Sequence, residues 1–218
     1  AVAMIPGTGE YSRAPDPVAL DGGAGKSDVV NVNSPSDRPD FITSLKHLQD
    51  EVPDTGAASL VVSWFGSDLR CGACAIQPKV EQTALDSSDM PWVVSGLTRG
   101  DAGVVPIDEG RPVYGGTPCD TSVVQSIRDM VSKGMEVMYY PFILMEQMPG
   151  NGLLNPWTGE TDQPKLPWRG RITASVAPGQ TGDLTGTVGI DNEVAAFFGA
   201  ATIDDFTVED EVITFVGD

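Results

Sequence analysis

Two stretches decide the fold: Ala58-Ser59-Leu60-Val61-Val62-Ser63-Trp64-Phe65 and Met135-Glu136-Val137-Met138-Tyr139-Tyr140-Pro141-Phe142-Ile143-Leu144-Met145. Each is a short apolar run without clean alternation, the pattern of a strand covered on both faces, as in parallel sheets. Between them lies the best-signalled helix of the chain, Pro118–Lys133. Thr117 is a good N-cap residue, Pro118 suits the first turn, and Asp120 favours the positive end of the helix dipole. Val123, Val124, Ile127, Met130 and Val131 make the face expected to be buried, and Gly134 supplies the stop. Strand Ala58–Phe65, a long crossover holding this helix, and strand Glu136–Leu144 together read as a βαβ unit with a right-handed connection. The fold class is α/β.

Outward from that core, residues 1–35 are rich in breakers (Pro6-Gly7-Thr8-Gly9, Pro15-Asp16-Pro17, Gly22-Gly23-Ala24-Gly25), with Val29–Val32 the only β-like stretch. This segment reads as an extended N-terminal arm, ordered by docking on something else. A first helix is expected over Pro39–Glu51, capped by Asp37 or Ser36, with Phe41, Ile42, Leu45 and Leu48 on one face. His47, the one histidine, lies beside that stripe and reads as solvated or at the edge of the core. Pro91–Leu97 reads as a further strand, Gly110–Pro118 as a loop, and residues 146–171 as one long Pro/Gly/Trp loop, a length that marks function or an interface. From Ile172 to Asp218 there are nine acids and no Lys or Arg. In that region Thr187–Phe198 reads as a helix, and Phe206–Val208 with Val212–Val216 as a β-hairpin.

The composition narrows the function classes. The 218 residues carry 13 basic and 31 acidic side chains, a formal charge of −18. So acidic a chain is a poor partner for nucleic acid or an anionic membrane, since binding phosphate takes clustered Lys and Arg. No apolar run is long enough to span a bilayer, and three cysteines do not make a disulfide framework.

Eight blocks in order carry a resemblance. They are Ile5-Pro6-Gly7-Thr8-Gly9-Glu10-Tyr11, Asn31-Val32-Asn33, Ser59-Leu60-Val61-Val62-Ser63-Trp64-Phe65-Gly66 and Asp68-Leu69-Arg70-Cys71-Gly72. Then follow Pro78-Lys79-Val80-Glu81, Tyr114-Gly115-Gly116-Thr117-Pro118, Tyr140-Pro141-Phe142-Ile143-Leu144-Met145 and Pro167-Trp168-Arg169-Gly170-Arg171-Ile172-Thr173. Together, over residues 2–200, they resemble the TIM-barrel-like region of the large tail-tip ("megatron") protein of gene transfer agents and related siphophages. The resemblance implies a glycoside-hydrolase-like barrel, a place in the virion tail tip after synthesis in the host cytoplasm, hub and baseplate proteins as partners, and a trimer. A complete eight-fold barrel takes about 250 residues, and Ala58–Asp218 is too short for one. The expectation is a partial or reduced TIM-barrel-like domain over residues 36–218, loop-rich, with the arm in front and the hairpin behind. It is expected to be a fragment of a longer tail protein or a reduced lineage, and a structural component of the tail tip in contact with the host envelope. The alternative is a glycoside-hydrolase-like domain that cleaves or binds a host surface glycan.

The candidate site residues follow from chemistry. Glycoside hydrolysis takes two carboxyls, and barrel chemistry sits at the carboxyl ends of strands. Asp68 after the first strand and Glu146 after the second are the candidate pair. The competing reading has Asp68 capping a turn or pairing with Arg70, and Glu146 solvated. Tyr114, Trp157 and Trp168 offer ring faces for a sugar or a partner protein, while Trp64 and Tyr140 read as core. Arg169 and Arg171 alternate beside Trp168 and read as a clamp onto carboxylates. Cys71-Gly72-Ala73-Cys74 is a C-x-x-C without a second pair, so two thiols or a local disulfide are favoured over a metal at Cys71 and Cys74. Gly115-Gly116-Thr117-Pro118 could hold an anion at a helix N-terminus but lacks the P-loop lysine. No cofactor is expected.

Overall fold

The computed structural model describes residues 1–22, 27–167, 172–209 and 212–217. The chain divides into two compact units, Ala1–Phe65 with Ile76–Glu146, and Gly66–Ala75 with Gln147–Asp218.

The first unit is built on a four-stranded sheet. Its strands are β1 (Val2–Met4), β2 (Ala57–Gly66), β3 (Ile76–Gln77) and β4 (Glu136–Met145), with β2 between β1 and β4 and β3 paired to β2. β1 runs parallel to β2, Val2 facing Ala58 and Met4 facing Leu60. The Glu136 N–H donates to Gly56 O at 2.8 Å, so β2 and β4 start side by side, as the crossover reading requires. Helices α1 (Asp40–Glu51) and α2 (Asp120–Ser132) bury Phe41, Leu45, Val123 and Met130 in a cluster with Ala58, Leu60 and Val62, the alternate residues of one β2 face. The other face carries the buried Val61 and Phe65, with Ser63 Oγ donating to Gly116 O at 3.2 Å. Coverage on both faces is why β2 shows no polar alternation.

The α2 helix stops at Gly134, whose φ of 79° is the left-handed conformation glycine tolerates. Gly134 N–H donates to Val131 O and Met135 N–H to Met130 O, the paired bonds of a Schellman stop, and both methionines are buried. The buried face of α2 differs from the expected one. Ser122 and Ser126 are buried, their hydroxyls satisfied by the Cys119 and Val123 carbonyls, while Val124 and Val131 are exposed. Neither helix N-terminus uses its expected cap. Pro39 and Cys119 occupy the cap positions without side-chain bonds, because Ser36 Oγ is paired with Thr43 Oγ1 and Thr117 Oγ1 accepts the Lys79 N–H.

The arm docks on its own chain, contrary to the expectation of an outside partner. Beyond β1 it contributes Tyr11, Ala14 and Val18 to a second apolar cluster with Val80, Trp92, Val94 and Cys119. Each large side chain so buried contributes about 1.5–3 kcal/mol, enough to order a segment with little regular structure. Arg13, 3 % exposed, is spent entirely on holding it down: Nε and Nη2 donate to Val61 O and Nη1 to Gly7 O. Burial brings its pKa down to about 10. Around the second cluster the chain forms two-residue ladders. The expected strand Pro91–Leu97 is a hairpin, Val93–Val94 against Leu97–Thr98, turning at Ser95 and Gly96 with φ of 49° and 79°. That pair of positive angles is a type I′ turn, and it recurs at Glu109-Gly110 between Ile107–Asp108 and Arg111–Pro112.

In the second unit, α3 (Val188–Phe198) is capped by Thr187, whose Oγ1 accepts the Gly189 N–H, and packs on the short 3-10 turn Cys71–Ala73. The hairpin expected at the C-terminal end is present as β5 (Phe206–Glu209) and β6 (Val212–Phe215), antiparallel, with Phe206 facing Phe215. The protein is thus mixed α/β with three helices and small sheets, and no closed sheet occurs among the described residues.

Candidate functional site

Three of the eight blocks meet in the first unit. Glu10, 6 % exposed, accepts the Glu81 N–H at 2.6 Å on one oxygen and Arg99 Nη2 at 2.5 Å on the other. Glu81 in turn accepts the Gly116 N–H at 3.1 Å. Arg99 Nη2 also donates to Tyr11 Oη, Tyr11 Oη donates to Asp86 at 2.6 Å, and Arg99 Nε lies 3.1 Å from the same carboxylate. Burial pushes the Glu10 carboxyl upward against the opposing pull of Arg99 and the Glu81 amide. Burial also raises Asp86, but the Tyr11 hydroxyl, the backbone amides of Ser87 and Trp92, and Arg99 outweigh it and hold the carboxyl below its usual value.

The two glycines of the Tyr114–Pro118 block are there for space. A Cβ on Gly115 would fall on the Gly9 amide nitrogen and within 2.8 Å of Gly9 Cα; one on Gly116 would meet Glu10 Cγ at 2.6 Å. Thr117 N–H donates to Lys79 O, Trp92 Nε1 to Thr117 O and Cys119 N–H to Glu10 O, so the segment before α2 is fixed by packing rather than left open for an anion. Beside this junction lies a polar cavity of about 360 Å³ lined by Thr8, Glu10, Tyr11, Asn33, Glu81 and Gln82 among others. Polar groups make up most of its lining, and its volume is at the small end of the range for ligand sites. Glu10, Glu81 and Arg99 were not among the sequence candidates. The one signal available was that Glu10 and Glu81 each stand in a block of the resemblance.

The expected carboxylate pair has other work. Asp68, in the second unit, is 3 % exposed and saturated. Its Oδ1 accepts from Arg70 N at 2.8 Å, Arg70 Nε at 3.0 Å and Gln163 Nε2 at 2.7 Å, and its Oδ2 from Arg70 Nη2 at 2.5 Å. Burial alone would raise its pKa; the Arg70 and Gln163 bonds reverse that and hold the carboxyl below its usual range. A general acid needs the opposite shift. Gln163, 2 % exposed, also accepts the Leu69 N–H and donates to Leu154 O, so Asp68 anchors the long loop through this amide. Asp162 accepts the Gly150 and Gly152 amides, and Leu154 bridges Thr161, so the long Pro/Gly/Trp loop is internally braced. Glu146 belongs to the first unit, where it forms an ion pair with Lys79.

The aromatic candidates divide. Tyr114 is half-buried, its ring 6.0 Å from that of Phe65, and burial raises its pKa. Trp157 is half-buried, and its backbone N–H donates to Asn155 Oδ1 at 3.0 Å. Trp64 joins both apolar clusters and donates its indole N–H to Tyr139 Oη at 2.8 Å. Tyr140, expected in the core, is exposed. Trp168, Arg169 and Arg171 lie outside the described residues. Cys71 Sγ points at Glu193 Oε2 at 3.8 Å and Cys74 Sγ at Ala75 O, both as thiol donors. Burial and the Glu193 charge raise the Cys71 pKa, which makes it a poor nucleophile. No cluster of three potential metal ligands occurs among the described residues. His47 is exposed on α1. No described helix is long and apolar enough to cross a membrane.

No family model matches the chain, and no curated protein matches it in sequence.

Proposed function

We propose that the chain is a structural component of a phage-like or gene-transfer-agent tail tip, assembling with hub and baseplate proteins and with copies of itself. The tail-tip assignment is supported by the eight ordered blocks of the resemblance. The assembly half is supported by one observation, the outer edge of β4. This ten-residue strand ends the sheet order, no described strand pairs with its far side, and Met138, Tyr139 and Tyr140 are 58, 44 and 42 % exposed in succession. A long apolar edge is a template for another chain unless it is covered. On this reading β1, β2 and β4 with α2 are a segment of a barrel-like sheet that neighbours complete. The test is mass spectrometry of density-purified particles from producing cells. The chain is expected at a fixed stoichiometry with tail proteins; its absence from particles while abundant in the same cells would refute the assignment.

A second reading, contact with host glycan, is favoured by the polar cavity beside Glu10 and Glu81. Since Asp68 and Glu146 are each paired to a cation, binding is proposed rather than hydrolysis. The purified chain is expected to retain peptidoglycan or capsular polysaccharide in a pull-down, weakened in Glu81→Gln, and to release no reducing ends. Turnover lost in Asp68→Asn would restore the hydrolase reading.

A further inference from the structure

The last part of the second unit exposes an ordered apolar platform. Phe206 and Phe215 face each other across the β5–β6 ladder with ring centroids 5.3 Å apart, and both remain exposed, 41 and 52 %. Ile203, at 85 %, is exposed in the turn that leads into it, while Val216, at 57 %, follows Phe215 and alternates to the opposite face. The turn Ile203–Asp205 that leads in is held by a capping box: Asp205 Oδ2 accepts the Thr202 N–H at 2.6 Å and its hydroxyl at 3.0 Å. Val216 N–H closes the far end by donating to Asp205 O at 2.8 Å. The helix before it, α3, is apolar on most of its surface yet buries no residue. A helix of that kind is normally covered.

The charge around this platform is of one sign. In sequence, Asp204 and Asp205 precede Phe206, Glu209, Asp210 and Glu211 fall between Val208 and Val212, and no Lys or Arg occurs from Ile172 to Asp218. An apolar centre with aromatic residues and a charged rim is the anatomy of a protein interface. A rim of one sign selects a partner of the other. A second copy of this chain is the wrong occupant, because at a net charge of −18 it meets like with like and its own equivalent segment offers no cation. An anionic lipid surface is repelled for the same reason.

We infer that Phe206, Phe215 and the neighbouring Ile203 form a docking surface for a basic protein partner, one presenting an apolar strip flanked by Lys and Arg. This rests on the geometry of the hairpin and not on the tail-tip reading, and it stands whether or not the chain is found in particles.

The experiment titrates the full chain into three labelled peptides and reads fluorescence anisotropy. One is an amphipathic Leu/Lys peptide, the second a Ser/Lys peptide of the same charge, the third a Leu/Glu peptide. The Leu/Lys peptide is expected to bind at least about tenfold more tightly than the other two. Ile203→Ser with Phe215→Ser should remove at least tenfold of that affinity, while Asp204→Asn with Glu209→Gln should weaken binding several-fold and flatten its salt dependence. Hydrogen exchange should slow in residues 203–216 on binding. Because Ile203 is the most exposed of the three, Ile203→Ser alone, with unchanged circular dichroism, must show part of the loss. Equal affinity for the Leu/Lys and Ser/Lys peptides overturns the proposal, as does affinity indifferent to the serine substitutions. So does a dimer of the peptide-free chain that the serine substitutions dissolve, since the occupant would then be a second copy.

Discussion

Gly115 sits where the Thr8-Gly9 backbone passes too close for any Cβ, whereas Gly100 has nothing within 4 Å of the same position. Gly115→Ala therefore forces the arm off the segment before α2 and is expected to cost roughly 2–4 kcal/mol, with Gly100→Ala within about 0.5 kcal/mol of the parent, both read from urea unfolding. The Glu10–Arg99 pair gives a second contrast. Arg99→Met strands a buried carboxylate and should cost about 3–5 kcal/mol; adding Glu10→Gln removes the stranded charge and should recover part of it. A double variant no better than Arg99→Met would mean the pair does not act as a unit. For Asp68 and Asp86 the folded carboxyls lie below their usual value, so the unfolded chain takes up protons first as pH falls. Their contribution is complete above the ordinary carboxylate pKa of about 4 and is lost as pH drops through the folded values. The raised Glu10 carboxyl acts in the opposite sense at higher pH, so the test is a comparison: below about pH 4 the unfolding midpoint should fall less steeply in Asp68→Asn than in the parent. Equal pH dependence of the two would contradict the Asp68 assignment.

At the scale of elements, the strands and helices of the first unit were legible where one sequence window holds the whole signal. The apolar runs gave β2 and β4 as strands, though β4, expected to be covered on both faces, is exposed over Met138–Tyr140 because it ends the sheet order. The 3.6-residue period gave α1 and α2, and Gly134 marked a stop that the structure makes with two backbone bonds. Ser95-Gly96 is a readable turn signal masked by the apolar stretch around it. What could not be read depends on distant partners. Thr117 would cap α2 if its hydroxyl were not taken by Lys79, and Glu10 meets Arg99 across 89 positions with no local pattern to announce it. Asp68 was read as an acid at a strand end. Gln163, 95 residues later, makes it an anchor. The arm was misjudged because a breaker-rich segment gives no period, yet Met4, Tyr11 and Val18 are core. Deletion of residues 1–35 is accordingly expected to abolish the near-ultraviolet circular dichroism of the first unit rather than merely change its oligomeric state.

For the whole molecule, the charge of −18 and the bare apolar surfaces pull in opposite directions. Self-repulsion at low salt should keep copies apart, and on the proposed reading screening by salt should favour association along the β4 edge, which sedimentation across a salt series would show. The central claim, that neighbours complete what this chain leaves uncovered, is tested most directly by an electron cryomicroscopy map of the intact particle with the chain traced in it. The account predicts the chain at the tail tip, with a strand or subunit of another chain lying along Glu136–Met145. A particle in which that edge faces solvent, or a map of the tail tip without this chain, would contradict it.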